Sequence, residues 1–204
     1  MIRLTIGECR VDILPVVQGL TPEADKVKEA YGKYEAYGLP LSVEGILALS
    51  KRDTLDMDDY EVNELDLVYA HHLSEFGNVE FPCPAFCELV DLCKNDGLNV
   101  VALDMNEDKF TDVYLENIKA TEFVKEHRVA KKGMKKKFDM SSPETFAEEW
   151  DAYVNKVKGY RKLSAARERY IAEQIADLAK YRKTVLIVAE VERVKNIVDI
   201  LEKQ

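Results

Sequence analysis

The sequence predicts an α/β fold: a mixed or mostly parallel central sheet of about four or more strands, with helices on both faces and a helical cap. The first observation is segment 165–197, in which a helical pattern, a short apolar run and a second helical pattern follow one another. The run at 184–189 has no polar alternation, which is typical of a strand covered on both faces. The second observation is that further strand-like runs alternate with helical segments, as in α/β sheets.

The N-terminal quarter is predicted to contribute two strands and a helix. Residues 2–6 alternate as a strand does, and Gly7 permits a turn that other residues resist. Pro22 marks the first turn of a helix. The apolar run at 41–49 is predicted to be the second strand, and it contains the single carboxylate Glu44.

The middle of the chain is predicted to supply two helices and a third strand. Residues 60–76 carry apolar side chains at helical spacing, and Pro84 opens another helix that stops at Gly97. Residues 98–104 then form a β-rich run that ends in Asp104. A carboxylate at the end of a strand is a candidate site residue, because ligands bind at the carboxyl ends of strands in such sheets.

Residues 108–160 are predicted to be helical and to form a cap or insertion within a single α/β domain, residues 1–204. One helix is expected over 108–128, and Ser141 with Glu144 has the spacing of a capping box for the next. The length suits one domain with such an insertion.

Composition excludes several classes of partner. The net charge of −9 argues against a nucleic-acid binder, and no apolar run approaches the roughly 20 residues of a membrane helix. The first residues lack the charged-then-apolar pattern of a signal peptide. These observations predict a cytoplasmic protein that contacts neither membrane nor nucleic acid.

The cysteines and histidines do not indicate a metal centre. Cys83 and Cys87 could share a helix face near His71 and His72 in sequence. The surrounding Phe-Pro-Cys-Pro-Ala-Phe-Cys is apolar, however, and free cysteine is commonly a core residue. We therefore expect neither a bound metal nor another cofactor.

Several short motifs occur in an order that points to a known family. They are Gly7-Glu8-Cys9-Arg10, Glu44, Asp104, the helical Arg167-Glu168-Arg169-Tyr170-Ile171-Ala172, and Glu190-Val191-Glu192-Arg193. This order resembles the TraB/PrgY superfamily, which includes the Tiki, GumN, ChaN and erythromycin-esterase-like proteins. The resemblance spans nearly the whole chain and implies metal-dependent peptidase or esterase chemistry.

The chain departs from that family at both motif histidines, which are Arg10 and Arg193 here. Arginine stays protonated at neutral pH, so it neither ligates a metal nor acts as a base. The resemblance therefore implies a catalytically degenerate, TraB-like domain.

The leading hypothesis is a strand-end cleft that binds a small anionic ligand or a protein partner. The ligand-binding candidates are Arg10, Arg167, Arg193, Glu8 and Glu190, and the orienting or catalytic candidates are Glu44 and Asp104. Guanidinium groups match carboxylates and phosphates, which favours an anion. The hypothesis requires the strands at 2–6 and 184–188 to be neighbours, so that Arg10 lies near Arg193.

Two other functions fit the same residues. A hydrolase could use Glu44 as a general base, with the arginines stabilising negative charge in the transition state. Alternatively, the long helices could form the interface of a structural homodimer or assembly protein.

Overall fold

The computed structural model describes residues 1–54 and 63–203 and confirms the α/β fold class. The strands are β1 (Ile2–Ile6), β2 (Cys9–Val16), β3 (Ala36–Leu39), β4 (Val100–Ala102) and β5 (Thr184–Glu190). They form one sheet in the order β1-β2-β5-β3-β4. Only the β1–β2 pair among them is antiparallel, so the sheet is mixed and mostly parallel.

The helices alternate with the strands. They are α1 (Glu23–Ala30), α2 (Val43–Ser50), α3 (Glu64–Leu73), α4 (Pro84–Asn95), α5 (Glu107–Asn117), α6 (Ala120–Gly133), α7 (Pro143–Val154), α8 (Lys158–Ala179) and α9 (Val191–Leu201). Polar residues cap the N-termini of several helices. Each cap side chain accepts a hydrogen bond from the backbone N–H three residues later, and the capping residues are Ser42, Asn63, Asn106 and Ser142. None of the helices described here is long and apolar enough to cross a bilayer.

Strand β5 is the centre of the sheet, and both of its faces are covered. Val185, Ile187 and Ala189 pack with α8 and α9 on one face. Leu186 and Val188 pack with α1 and α4 on the other. This explains why the run has no polar alternation.

A third apolar cluster lies beyond the carboxyl edge of the sheet, where α3, α6 and α7 meet. Its aromatic centre includes Tyr69, Phe146 and Trp150, with the Tyr69 and Phe146 ring centroids 5.4 Å apart. These helices cover the edge at which β2 and β5 end.

Two predicted elements are corrected by the structure. The run at 41–49 is not a strand: α2 occupies it, because Ser42 caps a helix and accepts the Gly45 N–H at 3.1 Å. The strand is instead β3, immediately before it. The helix expected over 108–128 is two helices, α5 and α6, separated at residues 118–119.

Two further predictions have a mixed outcome. The helix expected at 60–76 is α3, and residues 60–62 lie outside the described residues. Strands β1 and β5 share a sheet, as expected, but they are not neighbours. Strand β2 lies between them, because the chain turns back at Gly7, whose φ is 59°.

Candidate functional site

Arg10 and Arg193, which were expected to be adjacent, lie at opposite ends of the sheet. Arg10 pairs with Thr184 at the start of β5, whereas Arg193 follows Glu190, which pairs with Val16 at the other end. The length of β2 from Arg10 to Val16 is about 20 Å at roughly 3.3 Å per residue. The predicted Arg10–Arg193 pocket is therefore wrong, because the hairpin at Gly7 places Arg10 at the amino ends of the parallel strands.

Arg10 belongs instead to an ion-pair network on the β1–β2 hairpin. Its Nε lies 3.5 Å from Oδ2 of Asp12, which is fully buried, and Arg3 Nε donates to Oδ1 of the same carboxylate at 2.9 Å. Burial raises the pKa of Asp12, but the hydrogen bonds from Arg3 and Tyr34 outweigh it and the pKa is lowered. Glu8 is exposed in the adjoining turn, away from the carboxyl edge.

Asp104 and Arg167 are brought together at the carboxyl edge. Arg167 Nε donates to Asp104 Oδ2 at 2.7 Å, and the Met105 N–H donates to Oδ1 at 2.8 Å. The pair lines a cavity of about 270 Å³ beside α2. Glu44, also on α2, has an exposed side chain and is not among the residues that line this cavity.

Glu190 and Arg193 lie where β5 runs directly into α9. The last strand residue is also the residue that precedes the helix, so Glu190, Glu192 and Arg193 are all held at the carboxyl edge. Glu190 Oε1 lies 3.5 Å from Arg193 Nε, an ion pair without a hydrogen bond. Carboxylates at this position also interact favourably with the helix dipole.

The guanidinium of Arg193 is shared among several carboxylates. The charges of Glu190, Glu192, Asp151 and Glu168 all act on it. Burial lowers the pKa of Arg193, but these charges outweigh burial and the pKa is raised. Asn196 donates to both oxygens of Glu168, at 3.1 and 3.0 Å, and Arg167 is committed to Asp104. Negative charge therefore exceeds positive charge around Arg193.

Unpaired polar atoms concentrate in this region. Within the described ranges, the buried side-chain N and O atoms that lack a hydrogen-bond partner belong to Glu23, Tyr69, Glu190, Glu192 and Arg193. Burial and then the charges of Glu192, Cys83, Glu190 and Glu23 raise the pKa of Tyr69. Buried polar groups are almost always paired, so such a concentration is a candidate ligand site.

A cavity of about 170 Å³ opens beside these residues. It is lined by Gln18, Asn63, Leu65, Asp66, Tyr69, Trp150, Asp151, Val154 and Glu192. The wall combines three carboxylates and two amides with aromatic and aliphatic side chains. We call this space, together with Glu190 and Arg193 next to it, the carboxyl-edge site.

The carboxyl groups that line the cavity have raised pKa values, which favours their protonated forms. Burial, followed by the charge of Glu190, raises the pKa of Glu192 to about 8. Burial also raises the pKa values of Asp66 and Asp151. A cluster of perturbed carboxylates beside a cavity is a recognised mark of a functional site.

The expectation of no metal concerns Cys83, Cys87 and the histidines. In the structure His72 Nε2 lies 3.0 Å from the Gly133 carbonyl oxygen, His127 pairs with Glu64, and both cysteines are free thiols. Within residues 1–54 and 63–203, no group of three or more His, Cys, Asp or Glu is placed to hold a metal ion.

Sequence reasoning found part of the carboxyl-edge site. Glu190, Glu192 and Arg193 were placed there from the strand-then-helix pattern at the C-terminal end of the chain. Tyr69 and Asp151 were missed, because both lie on helices that reach this edge only through tertiary packing. The adjacent acidic and aromatic residues Trp150 and Asp151 carry no signal that separates a site from a solvated helix face.

Comparisons with family models, curated proteins and solved structures find no match to this chain.

Proposed function

We propose that the chain is a binding protein whose carboxyl-edge site holds a small, positively charged ligand. The observation that carries the proposal is the set of unpaired buried atoms on Tyr69, Glu190 and Glu192 beside a cavity lined by carboxylates. A buried acceptor without a donor costs free energy, and a bound cation with N–H groups supplies the missing donors.

The charge balance favours a cation over the small anion expected from the sequence. An anion at Arg193 would meet Glu190, Glu192 and Asp151, whose charges already act on that guanidinium. Like charges at such short range repel, and the partner that would have completed an arginine pair, Arg10, lies at the other end of the sheet.

The resemblance to the TraB/PrgY superfamily remains part of the proposal. Asp104, Arg167 and the Glu190–Arg193 motif lie at one edge of the sheet, and the direct contact between Asp104 and Arg167 joins two of the motifs. The first motif, which ends at Arg10, lies at the opposite edge. The proposed binding site uses the last motif and does not require the first.

Thermal denaturation in the presence of simple ions tests the proposal. The chain would be melted in n-butylammonium chloride, magnesium chloride, sodium phosphate and sodium chloride at equal ionic strength. We expect at least one of the first two cations to raise the melting temperature above the sodium chloride reference. A ligand at 100 times its Kd stabilises the folded state by about 2.7 kcal/mol.

Matched variants locate the effect. Glu192→Gln and Asp151→Asn should each remove the cation-induced shift, because each replaces a carboxyl group that a bound cation would hold ionised with a neutral amide. Glu44→Gln deletes an exposed carboxylate elsewhere and should keep the shift. Stabilisation by phosphate alone, or by none of these ions, would overturn the proposal.

One observation supports a second candidate function, a hydrolase. Glu192 lines the cavity, and burial raises the pKa of its carboxyl group to about 8, so it could act there as a general acid. Hydrolysis of 4-nitrophenyl acetate by the purified chain tests this candidate. Activity that Glu192→Gln removes and Glu44→Gln preserves supports it, and a rate equal to the uncatalysed reaction contradicts it.

A further inference from the structure

We infer that the ligand of the carboxyl-edge site is a small organic ammonium ion, with an apolar part that packs on Tyr69 and Trp150 and an N–H-bearing charge that meets Asp151 and Glu192. This inference rests on the proposed function and names its ligand class. Three features of the cavity support it: an aromatic wall, a polar wall and a volume that suits a small organic ion.

The aromatic wall is rigid. Tyr69 is stacked on Phe146 with an interplanar angle of 21°, and its ring centroid lies 6.2 Å from that of Trp150. Trp150 is packed tightly over Gly133, where an added Cβ would lie 3.0 Å from the indole. Trp and Tyr rings attract organic cations through their electron-rich faces, and a rigid wall offers that attraction at little entropic cost.

The polar wall supplies acceptors for N–H groups. Asp151 is oriented by Asn155, whose Nδ2 donates to Oδ2 at 2.8 Å, and Glu192 contributes an Oε2 that is buried and unpaired within the described residues. The Tyr69 residue is 93% buried, and its hydroxyl also lacks a partner there. An ammonium group carries two or three N–H donors, which matches the number of side chains that offer acceptor oxygens here.

The composition and size of the cavity favour an organic cation over a metal ion. Hard cations such as Mg²⁺ and Ca²⁺ take about six to eight oxygen ligands, whereas Leu65, Val154, Tyr69 and Trp150 make much of this wall apolar or aromatic. In the described part of the chain, no cluster of ligating side chains fits a metal. The volume of about 170 Å³ equals five or six waters, at roughly 30 Å³ each. A ligand of similar size is n-butylammonium.

The chain contains its own reporter for the experiment. Trp150 is the single tryptophan of the sequence, and it lines the cavity. Intrinsic fluorescence of the full chain would be titrated with n-butylammonium chloride, its neutral analogue n-butanol, magnesium chloride and sodium phosphate, at constant ionic strength. We expect a saturable change with n-butylammonium and a Kd for n-butanol at least about 10-fold higher, because the charge-assisted hydrogen bonds are missing.

The variants separate the contribution of the two carboxyl groups from that of the Tyr69 hydroxyl. Asp151→Asn and Glu192→Gln should each weaken n-butylammonium binding by about 10-fold or more, and Glu44→Gln should leave it unchanged. Tyr69→Phe keeps the ring and removes the hydroxyl, so it should weaken binding less than either charge deletion. Calorimetric titration gives the same affinities without the indole signal and covers a variant whose fluorescence is altered.

The possible results distinguish this inference from the proposed function. Saturable binding of Mg²⁺ without binding of n-butylammonium would overturn the organic-ammonium inference and leave the cation site standing. Equal affinity for n-butanol and n-butylammonium, binding of phosphate alone, or no binding by any of the four would overturn both.

Discussion

The hydroxyl of Tyr69 offers a direct stability test of the proposed cation site. It is buried and unpaired within the described residues, and leaving such a group without a partner costs about 1–3 kcal/mol. Without ligand, Tyr69→Phe should therefore leave the free energy of unfolding unchanged or raise it by about 1 kcal/mol, as measured by urea denaturation. Tyr34→Phe is the control: its hydroxyl donates to Asp12 at 2.8 Å, so its loss should destabilise the chain. A large loss of stability in Tyr69→Phe would show that its hydroxyl is satisfied.

The two arginines once expected to share a pocket should respond differently to truncation. The Arg193 side chain is 14% exposed and shared by several carboxylates, so Arg193→Ala should cost on the order of 3–5 kcal/mol. The Arg10 side chain is 45% exposed, and Arg3 also pairs with its partner, so Arg10→Ala should cost less than about 1 kcal/mol. Equal effects in chemical denaturation would contradict the assignment of Arg193 as a buried counter-ion.

At the scale of the elements, Gly38 sets how closely β3 packs against its neighbours. An added Cβ would lie 2.7 Å from Leu103 Cδ1 and 2.8 Å from Ile187 Cδ1. Gly38→Ala should therefore destabilise the fold by about 1–3 kcal/mol through overpacking, measured as a lower urea midpoint. Gly45→Ala is the matched control in α2, where the nearest contact is 3.6 Å and alanine should stabilise the helix by up to about 1 kcal/mol. No loss in Gly38→Ala would mean that β3 and its neighbours can move apart.

The sequence predicted elements best where one pattern was unambiguous. The run at 184–189 became β5, because an uninterrupted apolar stretch suits a strand buried on both faces. The run at 41–49 fits a strand and a helix about equally, and the capping contact at Ser42 decides for the helix. Strand β2 was missed because Arg10 and Asp12 make it look polar. Asp12 becomes compatible with burial through Arg3 on the neighbouring strand and through the Tyr34 hydroxyl.

Only those residues of the carboxyl-edge site that are contiguous in sequence were predictable. The residues that tertiary packing brings to the site were not. Glu190 ends β5 and Arg193 lies three residues later, so the local pattern located them. Tyr69 lies on α3 and Asp151 lies on α7. These helices pack near the carboxyl edge through tertiary contacts, which no short sequence motif encodes. The same limitation explains the failed pairing of Arg10 with Arg193, because the direction of β2 depends on the hairpin at Gly7.

At the scale of the whole molecule, the carboxyl-edge site should make stability depend on pH. The pKa of Glu192 is raised from 4.5 to about 8 by burial and by Glu190, so between these pH values the folded chain keeps a proton that the unfolded chain releases. The free energy of unfolding should therefore fall as pH rises from 4.5 to 8, by up to about 1.4 kcal/mol per pH unit from this group. Asp151, whose pKa is also raised, acts in the same direction, and Arg193 opposes it by favouring the ionised carboxylates.

A comparison of variants isolates the contribution of Glu192. Glu192→Gln cannot ionise, so its stability should decline less steeply between pH 4.5 and 8 than that of the parent chain in urea denaturation. Glu44→Gln removes an exposed carboxylate and should keep the parent slope. Parallel slopes for Glu192→Gln and the parent would show that Glu192 ionises normally in the folded state.

The central position of β5 has a consequence for how the protein is made. Strand β2 ends at Val16 and β5 begins at Thr184, so translation at about 5–20 residues per second separates them by roughly 10–35 s. Until β5 emerges, the described strands can pair only as the β1–β2 hairpin and the β3–β4 pair, and two-stranded pieces are marginal in water. A chain stopped at Lys183 should show no cooperative unfolding transition, and observing one would contradict this dependence. During synthesis the edges of β2 and β3 that pair with β5 thus remain open to chaperones, or to aggregation, until most of the polypeptide has left the ribosome.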